Sequence, residues 1–252
     1  MTIYRKESIL VKLGWNEKME KNYTLGVIGG MGPMATALFM QMIIEHTDAT
    51  CDQEHLPMIV RHLPNIPDRT AYILGDSDKS PAPYIKEAAL KLQEEEVAQI
   101  AVPCVTSHFF HDEIQKDVSV PVLDGLCDAA EALLNKGCKK VGIMATNGTV
   151  KSGLFTKALS EKEIECIYPD ETHQQYVMDI IYDCVKSNKV ADENKVKKVL
   201  SHLRDRGAEV VVLGCTELSL IPKEYLEGET LDVMETLALR CVKDFKNETA
   251  RS

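Results

Sequence analysis

Short apolar runs alternate along the chain with longer segments in which apolar residues recur at helical spacing. The longer segments predict helices at residues 35–46, 83–96, 127–134, 152–159, 174–187, 194–206 and 237–245. The short runs predict buried strands at residues 24–28, 58–63, 98–102, 120–123, 141–145, 166–168 and 210–214. Strands that alternate with helices indicate an α/β protein whose sheets are mostly parallel.

The pattern also repeats within the chain. Residues 25–28 match residues 141–144 at an offset of 116, and the segments that contain Cys104 and Cys215 match at an offset of 111. Several landmarks at nearly constant offset predict two homologous α/β halves. If a pseudo-twofold axis relates these halves, the active site lies in the cleft between them. The predicted divisions are a first half at 23–124, a second half at 125–230 and a C-terminal helix in 231–252 that has the option of packing on the first half.

Residues 1–22 precede the first strand and carry Trp15, the only tryptophan. We interpret them as an N-terminal extension. An upstream start codon, with Met19 as the true first residue, would give the same pattern. A docked N-terminal arm is the alternative.

Composition narrows the class of protein. The chain has 252 residues, 44% of them hydrophobic, and a formal net charge of −10. This is a globular balance, and the acidity argues against nucleic acid or an anionic membrane surface as a partner. No apolar run is long enough for a membrane span and no signal-peptide core is present, so we expect a cytoplasmic protein.

The eight cysteines predict neither a zinc site nor a disulfide framework. Their spacings lack the short pairs of zinc knuckles, and the histidines form no ligand pair with a carboxylate partner. We therefore expect no metal and no cofactor. A cysteine assigned to catalysis has to be distinguished from the default, which is a buried, reduced thiol.

Cys104 and Cys215 meet that requirement because each follows a buried strand at the same place in its half. Ligands bind at the carboxyl ends of strands in open α/β sheets, so the two thiols are expected to face each other across the cleft. Thr106 and Ser107 are suited to cap a helix after Cys104, and a helix N-terminus favours a thiolate.

Two further features suggest an anionic ligand. The loop around Met31 and Gly32 partly fits a dinucleotide fingerprint, but Pro33 interrupts it, and a loop whose amides approach a small anion is favoured. Arg69 is either a surface arginine paired with Asp68 or a clamp for a substrate carboxylate.

Five motifs resemble the aspartate/glutamate racemase family, most closely its aspartate racemase branch. They are Leu25-Gly26-Val27-Ile28-Gly29-Gly30-Met31-Gly32-Pro33, Asp52-Gln53-Glu54-His55, Ile66-Pro67-Asp68-Arg69-Thr70, Pro103-Cys104-x-Thr106 and Gly214-Cys215-Thr216-Glu217. The resemblance covers residues 23–247. It implies two Rossmann-like halves and a racemase that works without pyridoxal phosphate, acts on a small amino-acid substrate and forms a homodimer.

The resemblance also implies site residues. It places the catalytic pair on Cys104 and Cys215, the carboxylate-binding arginine on Arg69, and the pocket lining on Val105, Thr106 and Ser107. Met31, Gly32, Thr216 and Glu217 complete the predicted substrate-binding set, together with Gln175.

Two departures from the family put an acidic substrate in question. The family has asparagine after the first cysteine, where this chain has Val105 and forgoes a hydrogen bond of about 1–3 kcal/mol. The aspartate enzymes also have a carboxylate-binding lysine that we align with Gln175, which is neutral.

The predicted chemistry is a two-base proton transfer at Cα of aspartate or glutamate. One cysteine is the thiolate base and the other donates a proton from the opposite face, and Glu217 and His108 are candidates for tuning the thiols. A racemase or epimerase for a neutral amino acid is the alternative within the class. A one-cysteine decarboxylase is disfavoured because both cysteines are present. A non-catalytic amino-acid-binding protein is the alternative of another class.

Overall fold

The computed structural model of the chain describes residues 23–250, so the extension predicted at residues 1–22 lies outside the described residues. Two parallel sheets form its framework, with strand orders β2-β1-β3 and β5-β4-β6-β7. In each sheet the first strand along the chain lies between the second and the third, so the two halves share one topology. The strands are β1 Leu25–Gly29, β2 Met58–His62, β3 Gln99–Ala101, β4 Lys140–Met144, β5 Glu165–Ile167, β6 Val210–Leu213 and β7 Thr230–Asp232. The α/β prediction with mostly parallel sheets is confirmed.

Helices cover both faces of these sheets, and polar side chains define where most of them begin. Backbone N–H groups in the first turn donate hydrogen bonds to the side chains of Asp68, Asp124, Thr146, Asp170, Asp192 and Asp232. The helices are α1 Pro33–His46, α2 Arg69–Leu74, α3 Ala82–Glu94, α4 His111–Gln115, α5 Gly125–Asn135, α6 Asn147–Ser152, α7 Leu154–Ser160, α8 Glu171–Asp179, α9 Glu193–Asp205 and α10 Val233–Thr249. Within residues 23–250, none of them combines the length and the apolarity that crossing a bilayer requires.

The C-terminal helix α10 ties the chain end to its beginning. Met234 and Leu237 share an apolar cluster with Leu25 of β1 and Phe39 of α1, and α10 also packs on α5. The last helix therefore completes the core of the first sheet. The residue ranges given above for the two halves and the C-terminal helix stay predictions.

Several elements differ from the sequence-based expectation. The strand predicted at 120–123 is reduced to a single parallel bridge between Ile100 and Val122, and β7 was not predicted. The helix predicted at 174–187 is broken into α8, a π-helical turn at Ile180–Cys184 and a 3₁₀ turn at Val185–Ser187. A π-helical turn changes the angular phase of the residues that follow it, and such turns are frequent at functional sites.

Candidate active site

The two paired cysteines lie at equivalent strand ends and share one cavity. Cys104 follows β3 and Cys215 follows β6, the third strand of each half, and each is only 5% exposed. Both line a small inner cavity between the halves. The other residues that line this inner cavity are Asp68, Arg69, Thr70, Val105, Thr106, Thr146, Tyr182, Lys186, Thr216 and Glu217.

A larger outer cavity of about 420 Å³ lies next to the inner one. Four charged residues line both cavities, two cations and two carboxylates, namely Asp68, Arg69, Lys186 and Glu217. The N-terminus of α1 contributes Gly32 and Pro33 to the outer wall. A helix N-terminus and two cations make the pair of cavities suited to an anionic ligand that reaches the thiols.

Arg69 is a buried cation with donor capacity to spare. Its Nη1 donates to the carbonyl oxygen of Pro67 at 3.0 Å, whereas its Nε has no hydrogen-bond partner among residues 23–250. Burial lowers the pKa of the guanidinium, but the neighbouring Cys104, Asp68 and Glu217 raise it by more, so the net pKa is above its ordinary value. A permanent guanidinium with a free N–H can bind a carboxylate.

Cys215 is held as a thiol by its neighbour Glu217. The thiol donates to Oε2 of Glu217 at 2.9 Å, and Glu217 is itself buried. Burial raises the pKa of Cys215 well above its ordinary value, the negative charge of Glu217 raises it further, and the charge of Lys186 opposes both. At neutral pH Cys215 is therefore a proton donor.

Lys186 is a second cation that lines both cavities, and the sequence pattern did not indicate it. Its Nζ lies 3.3 Å from Oε1 of Glu217 and 4.9 Å from the ring centroid of Tyr182. Burial lowers the pKa of Lys186, but Glu217, Cys215 and Tyr182 raise it by more, so the ammonium stays charged. The 3₁₀ turn after the π-helical turn aims this side chain into the cavities.

Gln175 lies away from this site. It is exposed on α8, where its side-chain amide donates to Asp179 at 2.8 Å, and it lines neither cavity. The alignment of the family's lysine with Gln175 therefore does not describe the cavity, where the cation is Lys186. Helical periodicity could not have shown this, because the π-helical turn separates the two positions.

The residues after Cys104 have three different environments. Val105 lines the inner cavity and packs into the apolar core of the second half, and Thr106 also lines that cavity. Ser107 lines neither cavity; its hydroxyl donates to the carbonyl oxygen of Cys104 at 2.6 Å. The predicted pocket lining therefore corresponds to Val105 and Thr106, whereas Ser107 fixes the backbone at the thiol.

His108 also supports the backbone of Cys104 rather than its thiol. Its Nδ1 lies 3.2 Å from the carbonyl oxygen of Cys104, and its Nε2 accepts the backbone N–H of Gly125 at 3.0 Å. Burial lowers the pKa of this imidazole. Both ring nitrogens of a neutral histidine are thus occupied by backbone groups, which leaves none for the sulfur.

Three threonine hydroxyls join the halves beside the thiols. Thr106 Oγ1 lies 3.1 Å from Thr146 Oγ1 and 3.0 Å from Thr149 Oγ1, and the last two are 3.1 Å apart. Thr146 Oγ1 also accepts the backbone N–H of Thr149 at the start of α6. This threonine triad places the segment after Cys104 against the N-terminus of α6.

The remaining predicted residues divide between cavity and core. Gly32 lines the outer cavity, and Thr216 lines the inner one with its hydroxyl 3.4 Å from Glu217. Met31 is buried in the core of the first half and lines neither cavity. Gly30 has a φ of 94°, and a Cβ there would meet the backbone of Leu63, so this loop position requires glycine.

One further polar cluster lies apart from the cleft. Asp170, His173 and His202 bring potential metal-ligand atoms within 4.8 Å of one another, which the sequence spacing did not indicate. Hydrogen bonds account for their arrangement: His173 Nδ1 lies 2.7 Å from Asp170 Oδ1, and the backbone N–H of Asp170 donates to His202 Nε2 at 3.3 Å. We assign no metal to this cluster.

Comparisons with known proteins identify the family of this chain. The family model described as Asp/Glu/Hydantoin racemase matches residues 28–239. The broad specificity amino-acid racemase RacX of Bacillus subtilis is 27% identical over 211 residues, which is 81% of this chain and 89% of RacX. The aspartate racemase of Picrophilus torridus is 29% identical, with a TM-score of 0.79 over 89% of this chain and 94% of that one.

A more distant structure shares the fold. Glutamate racemase from Francisella tularensis, solved in complex with D-glutamate, is 20% identical, with a TM-score of 0.66 over 91% of this chain and 83% of that one. The resemblance inferred from the sequence motifs is confirmed, as is the assignment to the racemases, a class of isomerases. This chain belongs to the Asp/Glu/hydantoin racemase family.

Proposed function

We propose that this protein racemises a small acidic amino acid, aspartate or glutamate, by a two-base transfer of the Cα proton between Cys104 and Cys215. The observation that carries the proposal is that the two thiols, one from each half, line the same inner cavity together with two cations. The relatives named aspartate racemase and amino-acid racemase support the same reaction class.

The two thiols differ in their resting roles. Cys215 is protonated because it is buried and donates to Glu217, so it serves as the acid. The charged group beside Cys104 is the guanidinium of Arg69, and we assign Cys104 the role of the base. For one enantiomer Cys104 removes the Cα proton and Cys215 adds one to the opposite face. For the other enantiomer the roles are exchanged.

The charges of the cavities support an acidic substrate. Arg69 and Lys186 offer two cationic positions, one for each carboxylate of aspartate or glutamate, and the N-terminus of α1 stabilises negative charge in the outer cavity. Lys186 thus supplies the charge that Gln175 lacks. The backbone amides after each cysteine would stabilise the carbanion-like state.

A neutral amino acid is the second candidate substrate. Val105 offers no hydrogen bond to a polar substrate group, and Asp68 and Glu217 offset the two cations. The outer cavity of about 420 Å³ has room for a longer side chain, and RacX is named for broad specificity. The substrate test therefore has to include neutral amino acids.

Catalysis by free thiols sets a requirement on the surroundings. Both cysteines are unpaired and have to remain reduced to carry protons, so we propose a reducing compartment such as the cytoplasm. The homodimer stays a prediction.

Exchange of the Cα hydrogen in D₂O, followed by NMR, tests the proposal. We expect wild-type protein to exchange the Cα proton of both enantiomers of aspartate or glutamate, and Cys104→Ala and Cys215→Ala to abolish racemisation. Cys138→Ala is the matched control because Cys138 is also 5% exposed but lines neither cavity. Exchange only on neutral amino acids would keep the mechanism and move the substrate.

Binding without exchange would overturn the proposal. If folded wild-type protein binds amino acids and exchanges no Cα proton in the whole panel, the protein is a binding protein. Racemisation that survives either cysteine substitution would overturn the two-thiol mechanism alone.

A further inference from the structure

We propose that Glu217 is a proton relay between Cys215 and the solvent of the outer cavity, and that Cys104 has no equivalent relay. This inference rests on the proposed function and adds a positioning residue to it. The sequence predicted Glu217 as a substrate contact and as a candidate for tuning a thiol. The geometry points to a path for the proton.

Glu217 lines both cavities and accepts the thiol of Cys215 on one of its carboxylate oxygens. Oε2 accepts the thiol of Cys215 at 2.9 Å, within the inner cavity. Oε1 has no hydrogen-bond partner among the described residues, although Lys186 Nζ lies 3.3 Å away, and Glu217 also lines the outer cavity. Cys215 lines only the inner cavity, so its hydrogen-bonded route to the outer cavity is through Glu217.

Cys104 has a different neighbour, which cannot carry a proton away. Within residues 23–250, no carboxylate hydrogen-bonds to Cys104, and the charged group at its thiol is the guanidinium of Arg69. A guanidinium has no acceptor site and does not deprotonate in proteins. Cys104 also lines only the inner cavity, so a bound substrate separates its proton from solvent.

The proton path balances in each step. After Cys215 has taken the Cα proton, its S–H bond breaks and an O–H bond forms at Oε2 of Glu217, while sulfur keeps the electron pair. Glu217 then releases that proton to water in the outer cavity and takes a solvent proton in exchange. The solvent proton returns to sulfur, and no oxidant or reductant is needed.

Two cations and one further carboxylate lie around Glu217. Lys186 and Arg69 carry the opposite charge, whereas Asp68 is a like charge in the same cavities. Tyr182 is held by Asp68, which accepts its hydroxyl at 3.3 Å. Glu217 therefore has cations beside it where its carboxylate accepts the thiol of Cys215.

This asymmetry makes the two enantiomers distinguishable in D₂O. The enantiomer that gives its proton to Cys215 can lose that proton to solvent before the carbanion is reprotonated, so the recovered starting material gains deuterium. The enantiomer that gives its proton to Cys104 gets the same proton back, so its recovered starting material stays protiated. The inverted product carries deuterium in both cases when the thiol that donates to Cα has received its deuteron from the solvent.

The experiment incubates each enantiomer of aspartate separately with the enzyme in D₂O and stops the reaction at low conversion. Chiral chromatography with mass spectrometry measures deuterium in the recovered starting enantiomer. We expect washout for one enantiomer only. In Glu217→Gln we expect washout relative to inversion to fall by at least about tenfold, because a positioned proton-transfer group commonly contributes about 10²–10⁴-fold. Glu217→Asp keeps a carboxylate and should restore part of the washout.

Lys186→Met is the matched control. It removes the ion-pair partner of Glu217 but leaves the carboxylate, so the Michaelis constant rises while the ratio of washout to inversion keeps its asymmetry. Equal washout for both enantiomers in the wild type, or unchanged washout in Glu217→Gln, would overturn the relay and leave the racemase intact. No Cα exchange with any substrate would instead remove the proposed function, and the relay with it.

Discussion

Gly148 and Thr70 bring the two halves into backbone contact beside the active site. A Cβ built on Gly148 would lie 2.8 Å from the Cα of Thr70, closer than real Cβ contacts allow. Gly148 lies in α6 and Thr70 in α2, the helix that begins with Arg69. The position of Arg69 relative to the second half therefore depends on residue 148 having no Cβ.

Gly148→Ala should separate α2 from α6. We expect a loss of about 1–3 kcal/mol in the free energy of unfolding, as for other overpacked sites, and a higher Michaelis constant because Arg69 moves with α2. Urea unfolding and steady-state kinetics measure the two effects. Thr70→Ala should not rescue the variant, since the clash is with a Cα. Gly125→Ala is the control because its nearest neighbour is at 3.5 Å; equal effects of the two variants would contradict the prediction.

Lys186→Met should weaken the binding of acidic substrates, whereas Gln175→Ala should not. A hydrogen bond to a charged group contributes about 1.5–3 kcal/mol, so we expect roughly a 10- to 150-fold higher Michaelis constant for aspartate or glutamate. Neutral amino acids, if they are turned over, should be affected less. The opposite ranking of the two variants would show that the family's lysine position is Gln175 after all.

The cysteine pair and Lys186 show which parts of the site the sequence predicts and which it does not. The strand ends that carry Cys104 and Cys215 follow from apolar runs and from the internal repeat, because buried parallel strands are continuous in hydrophobicity. The position of Lys186 does not follow, because the π-helical turn at Ile180–Cys184 breaks the 3.6-residue period on which the prediction of one helix at 174–187 depended. The short strand β7 was missed because Leu231 is its only apolar residue, so it shows no apolar run.

His108 should make stability depend on pH. Burial lowers its pKa in the folded protein below the ordinary value of 6.5, so the unfolded chain takes up the proton first as the pH falls. The free energy of unfolding should be constant above about pH 6.5, the ordinary histidine pKa, and should decrease as the pH falls below that value. Urea unfolding between about pH 5 and pH 8 measures the slope, because this range spans the ordinary histidine pKa.

His108→Gln should reduce that slope. The variant loses the group that titrates near pH 6.5 in the unfolded chain, so its free energy of unfolding should depend less on pH. It keeps one donor and one acceptor, and we expect it to be less stable than the wild type at about pH 8. Some slope should remain, because burial and the nearby His173 also lower the pKa of His202. His62→Gln is the control, since His62 is exposed on β2. Parallel curves for His108→Gln and the wild type would contradict the prediction.

The threonine triad should show a fixed order of costs. Thr106→Val removes one buried hydroxyl but leaves Thr146 and Thr149 bonded to each other, so we expect a loss of about 1 kcal/mol. Thr146→Val also removes the acceptor of the Thr149 backbone N–H, a helix cap, so its loss should be greater, about 1–3 kcal/mol. Thr172→Val on the exposed side of α8 should cost little. Urea unfolding of the three variants measures the order, and a larger loss for Thr106→Val would mean that the bond across the halves, rather than the helix cap, dominates the stability of this junction.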